Sequence, residues 1–235
     1  MIELGERLTK VASFVPKDSK VCDVGSDHAY LPVYLIHNNQ ITSAIAGEVV
    51  EGPFLSAKQT VRDYQMEDHI EVRFGDGLQI LSKEDEVTAV TICGMGGELI
   101  SRILEAGYSG GHLSGEERLI LQPNVAEHFV REWLMNHSYQ IVEETVVSDN
   151  HRLYEIIVAE PSNEQVEYTE LELKYGPILL KEPSELSVAK WKRTNRKNKE
   201  ILEQLQKSKT PQHEKIEQFE KAFNELQGVI NRANS

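Results

Sequence analysis

Five turns along the chain carry the residues best suited to chemistry, and each follows an apolar stretch of strand character. The first reads Asp23-Val24-Gly25-Ser26-Asp27-His28. A glycine directly after a strand lets the backbone approach a ligand at the carboxyl edge of a sheet. The later glycines of a G-x-G-x-x-G fingerprint are missing, so this turn is not built for a dinucleotide pyrophosphate. Gly47-Glu48-Val49 follows the second strand. A carboxylate there reaches both hydroxyls of a ribose, one to each oxygen. Phe74-Gly75-Asp76-Gly77 brings a second carboxylate, suited to accept the exocyclic amine of an adenine. Cys93-Gly94-Met95-Gly96-Gly97 combines glycines, for close approach to the reactive end of a ligand, with Met95 as an apolar lid. Leu121-Gln122-Pro123-Asn124 closes the series. Any one of these could be no more than a turn. Five in succession point to a nucleoside-bearing cofactor lying across five strand ends.

The elements that must position these turns are legible as alternating patterns. Strands are predicted at 20–24, 43–47, 70–74, 87–92 and 118–122, and helices at 30–37, 54–65, 98–106 and 126–137. That alternation is the signature of βαβ units and a parallel sheet. An amphipathic helix at 2–14, with Leu4, Leu8, Val11 and Ala12 on one face, precedes them and ends before Pro16. Strands at 139–147 and 153–159 flank Ser148-Asp149-Asn150-His151 and read as a hairpin closing a doubly wound sheet. Residues 161–183, broken by Pro161, Gly176-Pro177 and Pro183, read as a linker with an apolar plug at 178–180. One helix is predicted over 184–209 and another from Pro211. In the second, Ile216, Phe219, Phe223, Leu226 and Ile230 step by three and four, a heptad seam. Trp191, Asn198, Ile201 or Leu202, and Leu205 offer a looser seam on the first. A short turn at 208–211 predicts an antiparallel coiled-coil hairpin, with an intermolecular coiled coil as its rival. The expected organisation is therefore a domain over 1–160, a linker over 161–183 and a hairpin over 184–235. A monomer is favoured and a dimer is possible.

Composition narrows the class. No apolar run approaches the length of a membrane span. The acidic start of the chain is not a secretory signal, so the cytoplasm is the default location. Cys22 and Cys93 lie in strand-like runs and read as small buried hydrophobes; no metal-ligand spacing is present. The net charge of −13 is unevenly spread. Residues 1–160 hold 12 Lys/Arg against 26 Asp/Glu, whereas 161–235 hold 13 against 12. Lys190, Lys192, Arg193, Arg196, Lys197 and Lys199 form a run with no acid among them. It could be a solvated helix face, or a stripe that contacts the phosphates of a nucleic acid.

The first motif, continued as Ala29-Tyr30-Leu31-Pro32, resembles the bacterial TrmK family, together with Gly47-Glu48-Val49-Val50-Glu51-Gly52-Pro53-Phe54, Gly75-Asp76-Gly77-Leu78, Gly94-Met95-Gly96-Gly97 and Leu121-Gln122-Pro123-Asn124. Members of that family methylate N1 of adenine 22 in the D-arm of tRNA. The resemblance extends to Tyr175-Gly176-Pro177-Ile178-Leu179-Leu180 and the C-terminal coiled coil. It implies a Rossmann-like class I methyltransferase domain holding S-adenosylmethionine. Carried over to this chain, Gly25, Ser26, Asp27 and His28 line the methionine side and Glu48, beside Val49, takes the ribose. Asp76 and Gly77 take the adenine, and Gly94, Met95 and Gly96 the sulfonium region. Asn124 positions the target base, and Asp27 is the carboxylate expected to stabilise the cationic product. Substrate RNA is expected on Lys190, Lys192, Arg193, Arg196 and Lys197.

Rival readings keep the fold and change the chemistry: a methyltransferase for a small molecule or protein, a module that binds cofactor or RNA without chemistry, or a nicotinamide reductase. The basic run disfavours a small substrate. Tyr30 and Phe54 could stack on a base, but core packing is the plainer expectation. His37, His69, His112, His128, His137 and His213 read as surface residues.

Overall fold

The computed structural model describes residues 2–207 and 212–233. The chain divides into two compact units, Met1–Pro177 and Ile178–Ser235.

The first unit is a seven-stranded sheet in the order β3-β2-β1-β4-β5-β7-β6. Its strands are β1 (Ser19–Val24), β2 (Ile41–Glu48), β3 (Ile70–Phe74), β4 (Ala89–Met95), β5 (Arg118–Pro123), β6 (Tyr139–Asp149) and β7 (Arg152–Pro161). The first five run parallel, and β7 lies antiparallel between β5 and β6. Runs of four or five consecutive residues in each central strand are buried; Leu119, Ile120 and Leu121 are 0% exposed. Unbroken apolar runs of this kind belong to strands covered on both faces. Helices α2 (Tyr30–His37) and α3 (Glu51–Asp63) pack along β1–β3, and α4 (Gly97–Ser109) and α5 (Glu127–Asn136) along β4–β6. The connection from β3 to β4 holds only two 3-10 turns, Gly77–Ile80 and Lys83–Asp85. Arg73 steadies it with bonds of 2.6 and 2.8 Å to the Asp85 carboxylate.

Several elements differ from the sequence expectation for identifiable reasons. The N-terminal helix α1 spans Glu6–Phe14, not 2–14: Gly5 stands in extended backbone at its N-cap and has no side chain to close the helix. Asp149 does so from the end of β6, accepting the Arg7 backbone N–H at 3.3 Å. The hairpin strands run farther than predicted, to a tight turn at Asn150-His151 with φ of 48° and 62°. Strand β4 continues through Cys93 and Met95 with a bulge at Gly94, so the fourth turn is the end of the strand itself.

The segment expected as a linker is partly helical. Thr169 and Glu172 form a reciprocal capping box that starts α6 (Glu170–Tyr175), and α7 (Pro177–Lys181) follows. The α6 carbonyl of Leu173 accepts from Arg131 Nη1 at 3.2 Å. Arg131, 0% exposed, also binds Glu144 at 2.7 Å and Glu155. Gly176 passes this triad with φ of 91°, and a Cβ there would lie 2.6 Å from Glu144 Oε2. Residues 170–176 thus belong to the first unit.

The second unit holds α8 (Glu185–Gln206) and α9 (His213–Ala233). Ser184 caps α8 by accepting from the Ser187 N–H. The pair runs antiparallel: Asn195 donates to Gln227 at 3.1 Å, and Trp191 near the start of α8 lies beside Val229 and Arg232 near the end of α9. On α9, Leu226 and Ile230 of the predicted seam are buried, and Ile216, Phe219 and Phe223 half-buried. On α8, Leu202 faces inward while Ile201 is exposed. The predicted turn at 208–211 and the end of the predicted helix at 209 lie outside the described residues.

Candidate functional site

All five predicted turns stand at the carboxyl edge of β1–β5, where a doubly wound sheet binds its ligand. Beneath the first turn lies Asp23, 5% exposed in the middle of the sheet. Its oxygens accept from Ser26 Oγ and Thr91 Oγ1, each at 2.6 Å, so it ties the β1 turn to β4. Burial pushes its carboxyl above the ordinary range, against the two hydroxyls that hold it down. Above it, Gly25 and Ser26 N–H donate to the Gly47 carbonyl at 3.0 and 3.1 Å. Gly25 has φ of 69°, and a Cβ there would lie 2.2 Å from Met95 Cε. Any other residue here would carry a strained backbone and force the Met95 methyl to move.

Asp27 and Ala29 also adopt positive φ, 56° each, a costly backbone for either residue type. Glu48 sets the turn: its carboxylate, 6% exposed, accepts the Asp27 backbone N–H. The Asp27 carboxylate itself is exposed and lies 3.7 Å from His28 Nε2. His28 stacks on Tyr30, with ring centroids 5.0 Å apart. Tyr30 is 43% exposed, so the core-packing expectation fails there. It begins α2, whose buried face is made by Leu31, Pro32, Val33 and Leu35. Phe54 is half-buried and meets the exposed Phe74 edge-on at 5.3 Å.

On the other side of β1, the ends of β4 and β5 are locked together. Asn124 Nδ2 donates to the Gly94 carbonyl at 2.6 Å, and its backbone N–H to Met95 O at 2.7 Å. Gln122, 0% exposed, donates to Asn124 Oδ1 at 3.1 Å and accepts from Gly94 N–H at 3.0 Å. An amide offers two N–H groups and two lone pairs. Asn124, exposed at the edge, therefore keeps one of each for a ligand.

The structure thus brings Gly25, Ser26, Asp27, His28, Glu48, Gly94, Met95, Gly96 and Asn124 into one connected edge. Val49, Asp76 and Gly77 stand at the neighbouring strand ends, Val49 and Asp76 exposed and Gly77 half-buried. The basic residues lie on α8 in the second unit, with Lys192, Arg193, Arg196 and Lys197 exposed and Lys190 half-buried.

Sequence reasoning missed Arg7, Asp23 and Thr91. Asp23 carried a readable signal, an acid inside an apolar strand. Arg7 carried none, since its guanidinium meets Gln122, far along the chain. Two histidines expected at the surface are half-buried: His112 contacts the Leu81 carbonyl at 2.8 Å, and His137 stacks on Trp133 and pairs with Glu105 at 3.0 Å. Cys22 is buried as expected, whereas Cys93, at the strand end, is only half-buried. Among the described residues no cluster of His, Cys, Asp and Glu could hold a metal ion, and no helix is long and apolar enough to cross a membrane.

Comparison with known proteins identifies the family. The chain is 42% identical over 208 residues to the tRNA (adenine(22)-N(1))-methyltransferase of Bacillus subtilis strain 168, covering 87% of this chain and 86% of that protein. The crystal structure of the B. subtilis M1A22 tRNA methyltransferase TrmK superimposes with a TM-score of 0.89 at 38% identity, covering 98% of this chain and all of the other. Streptococcus pneumoniae Sp1610, solved in complex with S-adenosyl-L-methionine, gives 0.87 at 41% identity, with 98% and 100% coverage. Residues 21–228 match the family model described as tRNA (adenine(22)-N(1))-methyltransferase, and the chain belongs to that family, TrmK.

Proposed function

We propose that this protein transfers the methyl group of S-adenosylmethionine to N1 of adenine 22 in the D-arm of tRNA. The observation that carries the reading is the joined edge of β1, β2, β4 and β5, in which the buried Glu48 holds the Asp27 N–H and the buried Gln122 holds Asn124 against the Gly94 carbonyl. Its residues fit the cofactor. Glu48 offers carboxylate oxygens to ribose hydroxyls, Asp76 is free of the sheet to meet an adenine amine, and Gly25, Gly94 and Gly96 leave backbone open where bulk would block approach.

Adenine N1 already carries an in-plane lone pair, so the protein must align it rather than deprotonate it. S-adenosylmethionine supplies an activated methyl group and takes back the bonding pair as the N1–C bond forms. The base has to leave its stack to reach this edge. Asn124 then positions it, its spare lone pair accepting from the exocyclic amine and leaving N1 open. The methylated base is a cation, and the exposed Asp27 carboxylate stabilises the growing charge. No general base is required. With tRNA as substrate, the cytoplasm is the compartment of the reaction, and the α8–α9 seam is read as intramolecular in a monomer.

The test is methylation of a tRNA transcript in vitro, with the product located by mass spectrometry of nuclease fragments. One methyl group at adenine 22, absent from a transcript carrying guanine there, is expected. Methylation elsewhere, or none, overturns the reading.

A further inference from the structure

We propose that Arg7 binds the backbone phosphate of the target nucleotide, an assignment that rests on the tRNA-methylating reading above. Arg7 reaches the reactive edge from α1. Its guanidinium donates through Nη1 to Gln122 Oε1 and lies over the Tyr154 ring, 5.5 Å from the centroid. A Cβ built on Gly94 would lie 3.8 Å from the same Nη1, so the charge sits beside the bulge that also holds Asn124.

Its setting is unusual for this domain. The half-buried Arg73 and Arg118 and the fully buried Arg131 each pair with a carboxylate. Among the described residues no carboxylate forms an ion pair with Arg7; its guanidinium meets a neutral amide and a ring face. The nearby Asp23 carboxylate feels the Arg7 charge through space, but its hydrogen bonds go to Ser26 and Thr91. Gln122 and Tyr154 hold the guanidinium in place, and the Asp149 cap fixes the turn of helix that carries it. Held in this way, it keeps N–H groups for a planar, charge-assisted fork to phosphate.

The reaction itself argues that this charge is covered when chemistry occurs. Transfer to N1 creates a cation on the base, which a bare guanidinium nearby would oppose. A phosphate of the extruded nucleotide removes that opposition and at the same time anchors the flipped strand. Arg7 is then a substrate-binding residue whose work becomes visible only with tRNA present.

The experiment pairs a protein variant with a modified substrate. Arg7→Met is expected to lower kcat/KM for tRNA roughly ten- to hundredfold and to reduce the slope of log affinity against log salt by about one, the signature of one lost phosphate contact. Affinity for S-adenosylmethionine stays near native, the melting temperature falls by no more than a few degrees, and Arg7→Lys recovers part of the loss. A tRNA with a neutral methylphosphonate beside adenine 22 is expected to slow the native protein by a similar factor and Arg7→Met no further. Independent, multiplying effects overturn the proposal, as does an unchanged salt slope in Arg7→Met. Undiminished turnover by the native protein on the methylphosphonate tRNA overturns it whatever the variant's fold. Failure of the native protein to methylate unmodified tRNA at adenine 22 instead overturns the reading on which it rests.

Discussion

At the scale of single residues, the site is a set of small commitments made by buried groups on behalf of exposed ones. Glu48 spends one carboxylate oxygen on the Asp27 N–H, and by doing so shapes the turn it shares with the cofactor. Glu48→Ala is expected to weaken S-adenosylmethionine binding by roughly 1–3 kcal/mol, because charged acceptors for the ribose are lost. Calorimetric titration gives the value directly, and an unchanged affinity would remove Glu48 from the site. The residues found by sequence reasoning, Glu48 and Asn124 among them, announce themselves by type directly after a strand. Arg7 and Thr91 do not, because each acquires meaning from a partner brought close only by folding. Tyr30 was misread because its helix begins one residue after Ala29 turns the chain through positive φ, leaving the ring on the outer side.

At the scale of elements, the sheet was legible because period and length suffice to name a buried parallel strand, and all seven strands were predicted to within a few residues. The segment before the hairpin helices was not, although Thr169-Glu170-Leu171-Glu172 carries the sequence form of a capping box. Prolines and a glycine outweighed it, and the anchoring triad at Arg131 is invisible without the fold. The short β3–β4 connection makes a separate prediction. Arg73 beside Asp85 holds that carboxyl down at about 2, from an ordinary 3.8. A depressed carboxyl contributes stability that is fully present above its unfolded pKa and lost as the pH falls through the folded value. Asp85→Asn is therefore expected to cost about 1 kcal/mol at neutral pH, after allowance for solvent screening of a half-buried pair, and to flatten the loss of stability between about pH 4 and 2. Urea titrations across that range measure it; parallel curves for the two proteins would show that the pair contributes nothing.

For the molecule as a whole, charge is divided along the chain. The sheet unit is strongly acidic, whereas α8 displays Lys192, Arg193, Arg196 and Lys197 at its surface. A polyanion meets repulsion over most of the first unit and attraction along this helix. A chain ending at Pro177 is expected to keep near-native affinity for S-adenosylmethionine, since every proposed ligand precedes it. Its affinity for tRNA should fall sharply, with a shallower salt dependence. Reversing the charges of Arg193, Arg196 and Lys197 in the full chain should reproduce the loss while leaving helix content intact by circular dichroism. Should the shortened chain bind tRNA with native affinity and salt slope, the basic run is a solvated face and the hairpin has another purpose.

The cap that Asp149 places on α1 has a consequence in time rather than in space. Arg7 emerges from the ribosome among the first residues, yet its partners Gln122 and Asp149 follow 115 and 142 positions later. At a translation speed of about 5–20 residues per second, Arg7 waits on the order of ten seconds before either exists. The reactive edge is therefore completed only when the β6–β7 hairpin has been made, and a nascent or truncated chain that lacks the hairpin carries all five strand ends but leaves the arginine that would greet the RNA without the cap and the ring that hold it.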